Sequence, residues 1–91
     1  MNTGYAVSWN GVDGTRCAGR LDVGDGSARL VGASRGVRRD ETITFDDIAS
    51  VRLERGRLHI DRRVGAALLI GSLDGPGTLR EVAERLAASL T

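Results

Sequence analysis

Residues 42–90 read TITFDDIASVRLERGRLHIDRRVGAALLIGSLDGPGTLREVAERLAASL, and their pattern is the strongest indication of the fold. Apolar and polar residues alternate in its first segments, around Ile43, Val51 and Ile60, which is typical of β-strands with one buried face. The apolar run Ala66–Ile70 predicts a further strand, buried on both faces. The stretch then ends with apolar residues at helical spacing, namely Leu79, Val82, Ala83, Leu86, Ala87 and Leu90. This order predicts an antiparallel sheet or barrel closed by one helix.

Seven strands are predicted before the helix. They are Tyr5–Trp9, Cys17–Val23, Ala28–Gly32, Thr42–Phe45, Ser50–Glu54, Arg57–Asp61 and Ala66–Ile70. The turn dipeptides of Asn10–Gly14 favour a first hairpin. The polar segment Arg35–Glu41 is interpreted as the connection between the third and fourth strands. Arg55-Gly56 is interpreted as a tight turn between the fifth and sixth.

The helix is predicted over residues 78–90. Thr78 and Glu81 have the spacing of a capping box, in which each side chain bonds a backbone N–H of the first turn. The adjacent acids Asp46 and Asp47 are interpreted as the cap of one short helical turn at Ile48-Ala49.

The composition is that of an ordinary globular domain. The 91 residues carry a formal net charge of +1, with 41% hydrophobic and 27% charged residues. We therefore expect one domain over residues 1–91, with no overall charge that would attract nucleic acid or an anionic membrane. No signal peptide is visible at the N-terminus, and the longest apolar run is shorter than a membrane span requires. A cytoplasmic location is expected.

Residues that carry catalytic or metal chemistry are few. Cys17 and His59 are the sole cysteine and histidine, and no second type of metal ligand clusters with either. Cys17 is expected to be a small core residue, and His59 to face solvent because Leu58 and Ile60 face the other way. We therefore expect no catalytic residue, no metal and no cofactor. A hydrolase or redox enzyme that uses Cys17 or His59 is the alternative to test.

The motif Thr42–Val51 resembles the middle of bacterial pleckstrin-homology-like (PH-like) and GRAM-type domains. In those families an extended segment leads into an acidic residue and Ile, and a strand follows that begins near a Val. Leu58-His59-Ile60 and a helix of the form Leu-x-x-Val-Ala-x-x-Leu fit the same families. The resemblance implies a mainly β (α+β) fold, a bent seven-stranded antiparallel sheet or barrel capped by one C-terminal helix. An SH3-like or other small barrel with an appended helix is the alternative.

Five arginines form a candidate site for an anionic ligand. In the expected topology the third–fourth and the sixth–seventh connections lie at the same open end of the barrel. They would bring together Arg35, Arg38, Arg39, Arg62 and Arg63. Such a rim would bind phosphate or carboxylate through charge-assisted hydrogen bonds.

The expected function is that of a non-enzymatic binding or adaptor module that recognises a protein partner, since the resemblance implies a binding scaffold. The alternative is weak recruitment to anionic, phosphoinositide-like lipid through the arginine rim. Nucleic-acid binding is not expected, because no exposed aromatic residues accompany the arginines. The uncharged seventh strand should be shielded within a monomer, and a weak homodimer through a sheet edge is the second possibility.

Overall fold

The computed structural model of the protein describes residues 3–10 and 14–90. Gly11–Asp13 of the predicted first turn lie outside the described residues. The described residues form seven antiparallel strands in one sheet and a C-terminal helix, which confirms the predicted mainly β fold class. The elements are β1 Thr3–Asn10, β2 Arg16–Val23, β3 Ser27–Ser34, β4 Val37–Thr44, β5 Ile48–Glu54, β6 Arg57–Arg62, β7 Leu68–Ser72 and α1 Pro76–Leu90, with a 3-10 turn at Phe45–Asp47.

The strands follow the order β4-β3-β2-β1-β7-β6-β5 in the sheet. The seventh strand therefore lies between β1 and β6 and is paired on both sides, so the predicted shielding of this strand is confirmed. It begins two residues later than predicted, at Leu68. Leu68 and Ile70 are buried, whereas Leu69 on the opposite face is half-buried. The two edges of the sheet are β4 and β5.

The core lies between one face of the sheet and the helix. Alternate residues of the strands point to this inner face, and α1 adds Leu79, Val82 and Leu86. Each such aliphatic side chain gains about 1.5–3 kcal/mol when it leaves water. The predicted core role of Cys17 is confirmed, since this residue is 1% exposed.

The fourth strand begins at Val37, five residues before the predicted start, so the interpretation of Arg35–Glu41 as a loop is wrong. The connection consists of Arg35 and Gly36 alone, with φ angles of 51° and 80°. Positive φ at both central residues is the geometry of a type I′ turn, which joins two strands without splaying them. Pairing then runs from Ser34 and Val37 at the turn to Ser27 and Thr44 at the far end.

Two predictions about helix caps are also wrong. Helix α1 begins at Pro76, so Thr78 lies inside its first turn, and the Glu81 carboxylate accepts a hydrogen bond from the Tyr5 hydroxyl (3.2 Å). The short turn near Asp46-Asp47 covers Phe45–Asp47 and ends before Ile48, which is the first residue of β5. The carboxylates of Glu81 and Asp47 thus bind residues distant in sequence, Tyr5 and Arg62, and do not cap their own helical turns.

The sheet curls over its inner face. Trp9 Nε1 donates a hydrogen bond to Glu41 Oε2 at 2.6 Å, although β1 and β4 are separated by two strands. Gly19 and Gly32 are paired across β2 and β3, and a Cβ atom on either would collide with the backbone of the opposite strand. Two glycines are therefore needed where these strands make their closest approach.

Candidate functional site

The structure does not gather the predicted arginine rim in one place. Arg35 lies in the β3–β4 turn, while Arg38 and Arg39 belong to strand β4 and not to a loop. Successive residues of a strand point to opposite faces, so Arg38 is exposed on the outer face and Arg39 is half-buried on the inner one. The three arginines of this group cannot act as one loop cluster.

In the second group of the rim, Arg62 and Arg63, the Arg62 side chain binds Asp47 just before β5. Arg62 Nε donates to Asp47 Oδ2 at 2.8 Å, and the Val64 amide donates to Asp47 Oδ1 at 3.1 Å. The Arg62 guanidinium, followed by this backbone amide, lowers the pKa of Asp47. Arg62 and Arg63 also line two different depressions of the surface. Arg62 thus fastens the β6–β7 loop, and its charge is largely compensated.

A different surface offers a shaped apolar site, at the edge strand β5. Within the described chain β5 pairs with β6 alone, so the N–H and C=O groups along its other side have no strand partner. Helix α1 packs beside it. A groove of about 370 Å³ lies at the end of β5, lined by Leu53 of β5, Gly56 of the β5–β6 turn, Ser72 and Gly75 around the end of β7, and Leu79 of α1. We call these five residues the β5 groove.

The apolar side chains of this region are incompletely covered. Leu53 points to the inner face, yet it is 42% exposed because it lies near the end of β5, beyond the reach of the core. Leu73, in the link between β7 and α1, is 56% exposed. Leu79, which also lines the groove, is buried. The groove therefore combines a buried apolar side chain with the solvent-exposed Leu53.

The outer face of β5 carries charges that neutralise one another. Arg52 Nη1 lies 2.9 Å from Glu54 Oε2, and Arg52 Nε lies 3.4 Å from Asp61 Oδ2. The Ser50 hydroxyl donates to the same Asp61 carboxylate at 2.6 Å. This hydrogen bond, and to a lesser extent the charge of Arg52, lowers the pKa of Asp61. The side chains on the outer face of this strand therefore bind one another. The groups of β5 that lack a strand partner are the backbone N–H and C=O groups along its open edge.

The residues of possible catalytic interest are dispersed. The Cys17 thiol is buried and donates a weak hydrogen bond to the Thr15 carbonyl at 3.6 Å. His59 is half-buried on the outer face, paired across the sheet with Arg52 and Leu69. In residues 3–10 and 14–90, no group of three or more His, Cys, Asp and Glu side chains is placed to hold a metal ion. Over the same residues, no helix combines the length and apolarity needed to span a bilayer.

Comparisons with known proteins define the fold class and go no further. No family model matches the chain, and no curated protein matches it. Among solved structures, the chain is similar to the C-terminal domain of an unknown protein from Leishmania infantum, with a TM-score of 0.70 and 9% sequence identity. The alignment covers 93% of this chain and 82% of the other. The chain thus shares the architecture of a small antiparallel seven-stranded sheet with one C-terminal helix.

Proposed function

We propose that this chain is a PH-like, non-enzymatic binding module that recognises an extended segment of a partner protein along β5. The order of seven strands followed by one helix, and the sequence pattern of residues 42–51, support the PH-like class. The observation that carries the binding mode is the combination of an unpaired strand edge with an apolar groove at the end of the same strand.

Strand addition explains why these two features belong together. An exposed edge supplies backbone hydrogen bonds that bind any extended chain, and pockets beside the edge select its side chains. The β5 edge would provide the hydrogen bonds, and Leu53 and Leu79 would accept one apolar side chain of the partner. Burial of that side chain would contribute about 1.5–3 kcal/mol.

The charges near the mouth of the groove favour an acidic residue next to that apolar one. Arg55 lies in the β5–β6 turn directly before Gly56 of the groove, and it is exposed with no ion pair to any described residue. The first turn of α1 begins beside Gly75, and the positive end of a helix dipole favours negative charge. We therefore expect a ligand with an apolar residue followed or preceded by Asp or Glu.

Recruitment to anionic lipid by the five-arginine rim has weaker support. The rim required Arg38 and Arg39 in one loop with Arg62 and Arg63 at the same end. The strand assignment separates the first two by face, and Asp47 engages Arg62. Nothing in this arrangement focuses five positive charges on one ligand.

The test is a selection of peptides followed by mapping of the contact. Peptides that bind the purified chain are selected from a random phage-displayed library and titrated into ¹⁵N-labelled protein. We expect amide shifts along β5 and in the first turn of α1, and enrichment of apolar–acidic pairs. Leu53→Glu should weaken the selected peptides at least tenfold, because it buries a carboxylate against an apolar side chain.

Val37→Glu is the matched control. Val37 is 56% exposed at the end of the other edge strand, and the substitution adds the same charge there. Binding should survive it. Peptides that shift β4 and not β5, or that bind Leu53→Glu as well as the parent protein, would contradict the proposal. Dimerisation lost in Leu53→Glu would indicate a second copy of this chain as the occupant of the edge, and would contradict a separate partner.

A further inference from the structure

A second cleft lies on the outer face of the sheet, where β1, β7 and the beginning of β6 meet. Its volume is about 140 Å³, and its lining includes Ser8, Asn10, Arg16, Arg57, Leu69 and Gly71. Ser8 pairs with Gly71 across the two central strands, and Asn10 pairs with Arg16 at the end of β2. The cleft therefore lies beside the short pairing of β1 with β7.

The floor of the cleft is formed by small residues. Gly71 has no side chain, and a Cβ atom there would lie 3.0 Å from the Ser8 hydroxyl oxygen, within the depression itself. Ser8 is 7% exposed, and its hydroxyl makes no hydrogen bond to another described residue. The Ser8 hydroxyl thus borders an open space, and a methyl group on Gly71 would crowd it.

Both walls carry positive charge, and among the described residues no ion pair compensates it. Arg16 and Arg57 are exposed, and neither forms an ion pair with a described residue. Glu54 is the direct cross-strand partner of Arg57, yet its carboxylate binds Arg52 at 2.9 Å. The nearest acidic group on that side is therefore already engaged, and the Arg57 guanidinium borders the cleft.

Asn10 holds the cleft open from its upper end. Its Oδ1 accepts a hydrogen bond from the Leu69 amide at 2.7 Å, and its Nδ2 donates to the Ala67 carbonyl at 3.2 Å. The side chain thereby replaces the next backbone pair between β1 and β7. It fixes the spacing of the two strands that carry Ser8 and Gly71.

We propose that this cleft is a binding site for a phosphomonoester or a similar small dianion. Two guanidinium groups supply charge-assisted donors suited to phosphate oxygens. The Ser8 hydroxyl supplies a third donor at the base, and Gly71 leaves the room. This site is separate from the β5 groove and does not depend on the proposed recognition of a peptide.

The experiment is an NMR titration of the ¹⁵N-labelled chain with sodium phosphate, with ionic strength held constant by sodium chloride. We expect saturable shifts of the amides of Ser8, Asn10 and Gly71 and of the Arg57 Nε–H, with a roughly millimolar dissociation constant. Arg16→Gln and Arg57→Gln should each weaken binding roughly tenfold, the loss expected for one charge-assisted hydrogen bond. Gly71→Ala should abolish it.

Arg38→Gln is the control, since it removes an exposed arginine from the outer face of β4 and should change the affinity by less than about twofold. Leu53→Glu should leave the phosphate titration unchanged, which separates this site from the peptide groove. Shifts that do not saturate, that sodium chloride alone reproduces, or that Arg38→Gln weakens as much as Arg16→Gln would overturn the proposal.

A vesicle arm distinguishes a lipid headgroup from a free phosphate compound. Vesicles of phosphatidylcholine, with and without a phosphatidylinositol phosphate, are sedimented with the protein. Pelleting that requires the phosphorylated lipid and is lost in Arg16→Gln supports the site with a headgroup as the source. Saturable phosphate shifts without pelleting support it with a soluble phosphomonoester.

Discussion

The two edge strands of the sheet, β4 and β5, differ in where they carry charged side chains. Strand β4 places Arg39 and Glu41 on its inner face and Arg38 and Asp40 on its outer face, so charge flanks its edge on both sides. Inward-pointing charges of this kind discourage pairing with another chain. Strand β5 carries its charges on the outer face, while its inner face shows Val51 and Leu53 beside a helix. The protein therefore protects one edge and leaves the other suited to a partner.

The largest expected effect concerns how much of each edge strand belongs to the core. Ile43 of β4 is 2% exposed, whereas Leu53 of β5 is 42% exposed. Ile43→Ala should lower the free energy of unfolding by about 3 kcal/mol, because it opens a cavity, and Leu53→Ala by less than about 1 kcal/mol. Urea unfolding measures both. Equal losses would show that the Leu53 end of β5 is packed as tightly as Ile43, and the contrast between the edges would disappear.

The next effect concerns the contact that ties β4 across the curled sheet. Glu41→Ala leaves the Trp9 indole N–H without its acceptor and should cost about 2 kcal/mol. Glu41→Gln keeps an acceptor oxygen and should retain most of the stability. Glu54→Ala on β5 breaks an exposed ion pair and should cost less than about 0.5 kcal/mol. The same unfolding measurements rank the three variants, and a Glu54 loss as large as that of Glu41 would refute the ranking.

Acid should weaken the contact at the start of β5 more than the corresponding contact of β4. The folded-state pKa of Asp47 is lowered by Arg62 and the Val64 amide, so the unfolded state binds this proton more readily. The free energy of unfolding must therefore fall as the pH drops through the unfolded and then the folded pKa, from about pH 5 downward. Asp47→Asn should flatten this dependence.

Asp40→Asn is the comparison on the other edge. Arg29 lowers the pKa of Asp40 as well, but this pair is more exposed than the pair of Asp47 with Arg62. Its substitution should flatten the pH dependence less, as followed by circular dichroism during unfolding at several pH values. A larger change for Asp40→Asn than for Asp47→Asn would contradict the expectation that the less exposed pair contributes more to the pH dependence of stability.

The smallest expected effect is one in which the two edges behave alike. Arg35 and Arg55 each occupy the first position of a turn with φ near 50°, where a non-glycine side chain is strained. Asn tolerates this conformation better, so Arg35→Asn and Arg55→Asn should each stabilise the protein by about 0.5 kcal/mol. Thermal unfolding detects such a change. A gain at one turn only would show that the turns are not equivalent.

The fold was predictable because strand periodicity and helix periodicity are local properties. The boundary of β4 was missed because four charged residues in a row suggested a loop. A signal was nevertheless present: Arg35-Gly36 repeats the Arg55-Gly56 pair that correctly predicted the β5–β6 turn, and both form the same backbone geometry. An edge strand can carry charge on both faces, so polarity alone does not exclude a strand.

The arginine rim could not be predicted well, for a reason that lies in tertiary structure. Whether Arg62 is free depends on Asp47, fifteen residues earlier, and that contact requires knowledge of how the β6–β7 loop meets the start of β5. The outer-face cleft was hidden for the same reason. Ser8, Arg16, Arg57 and Gly71 show no common spacing in the sequence, and the strand order brings them together.

The facing glycines Gly19 and Gly32 have a consequence for how such chains can vary. An added methyl group at either position meets the main chain of the neighbouring strand, and no rotamer change elsewhere can move that obstacle. A substitution at one position therefore has no compensating substitution at the other. Among chains that fold in this way, we expect these two positions to stay glycine while the ligand-facing residues diverge freely. A saturation library sorted only for folded protein should show the same invariance, whatever the protein binds.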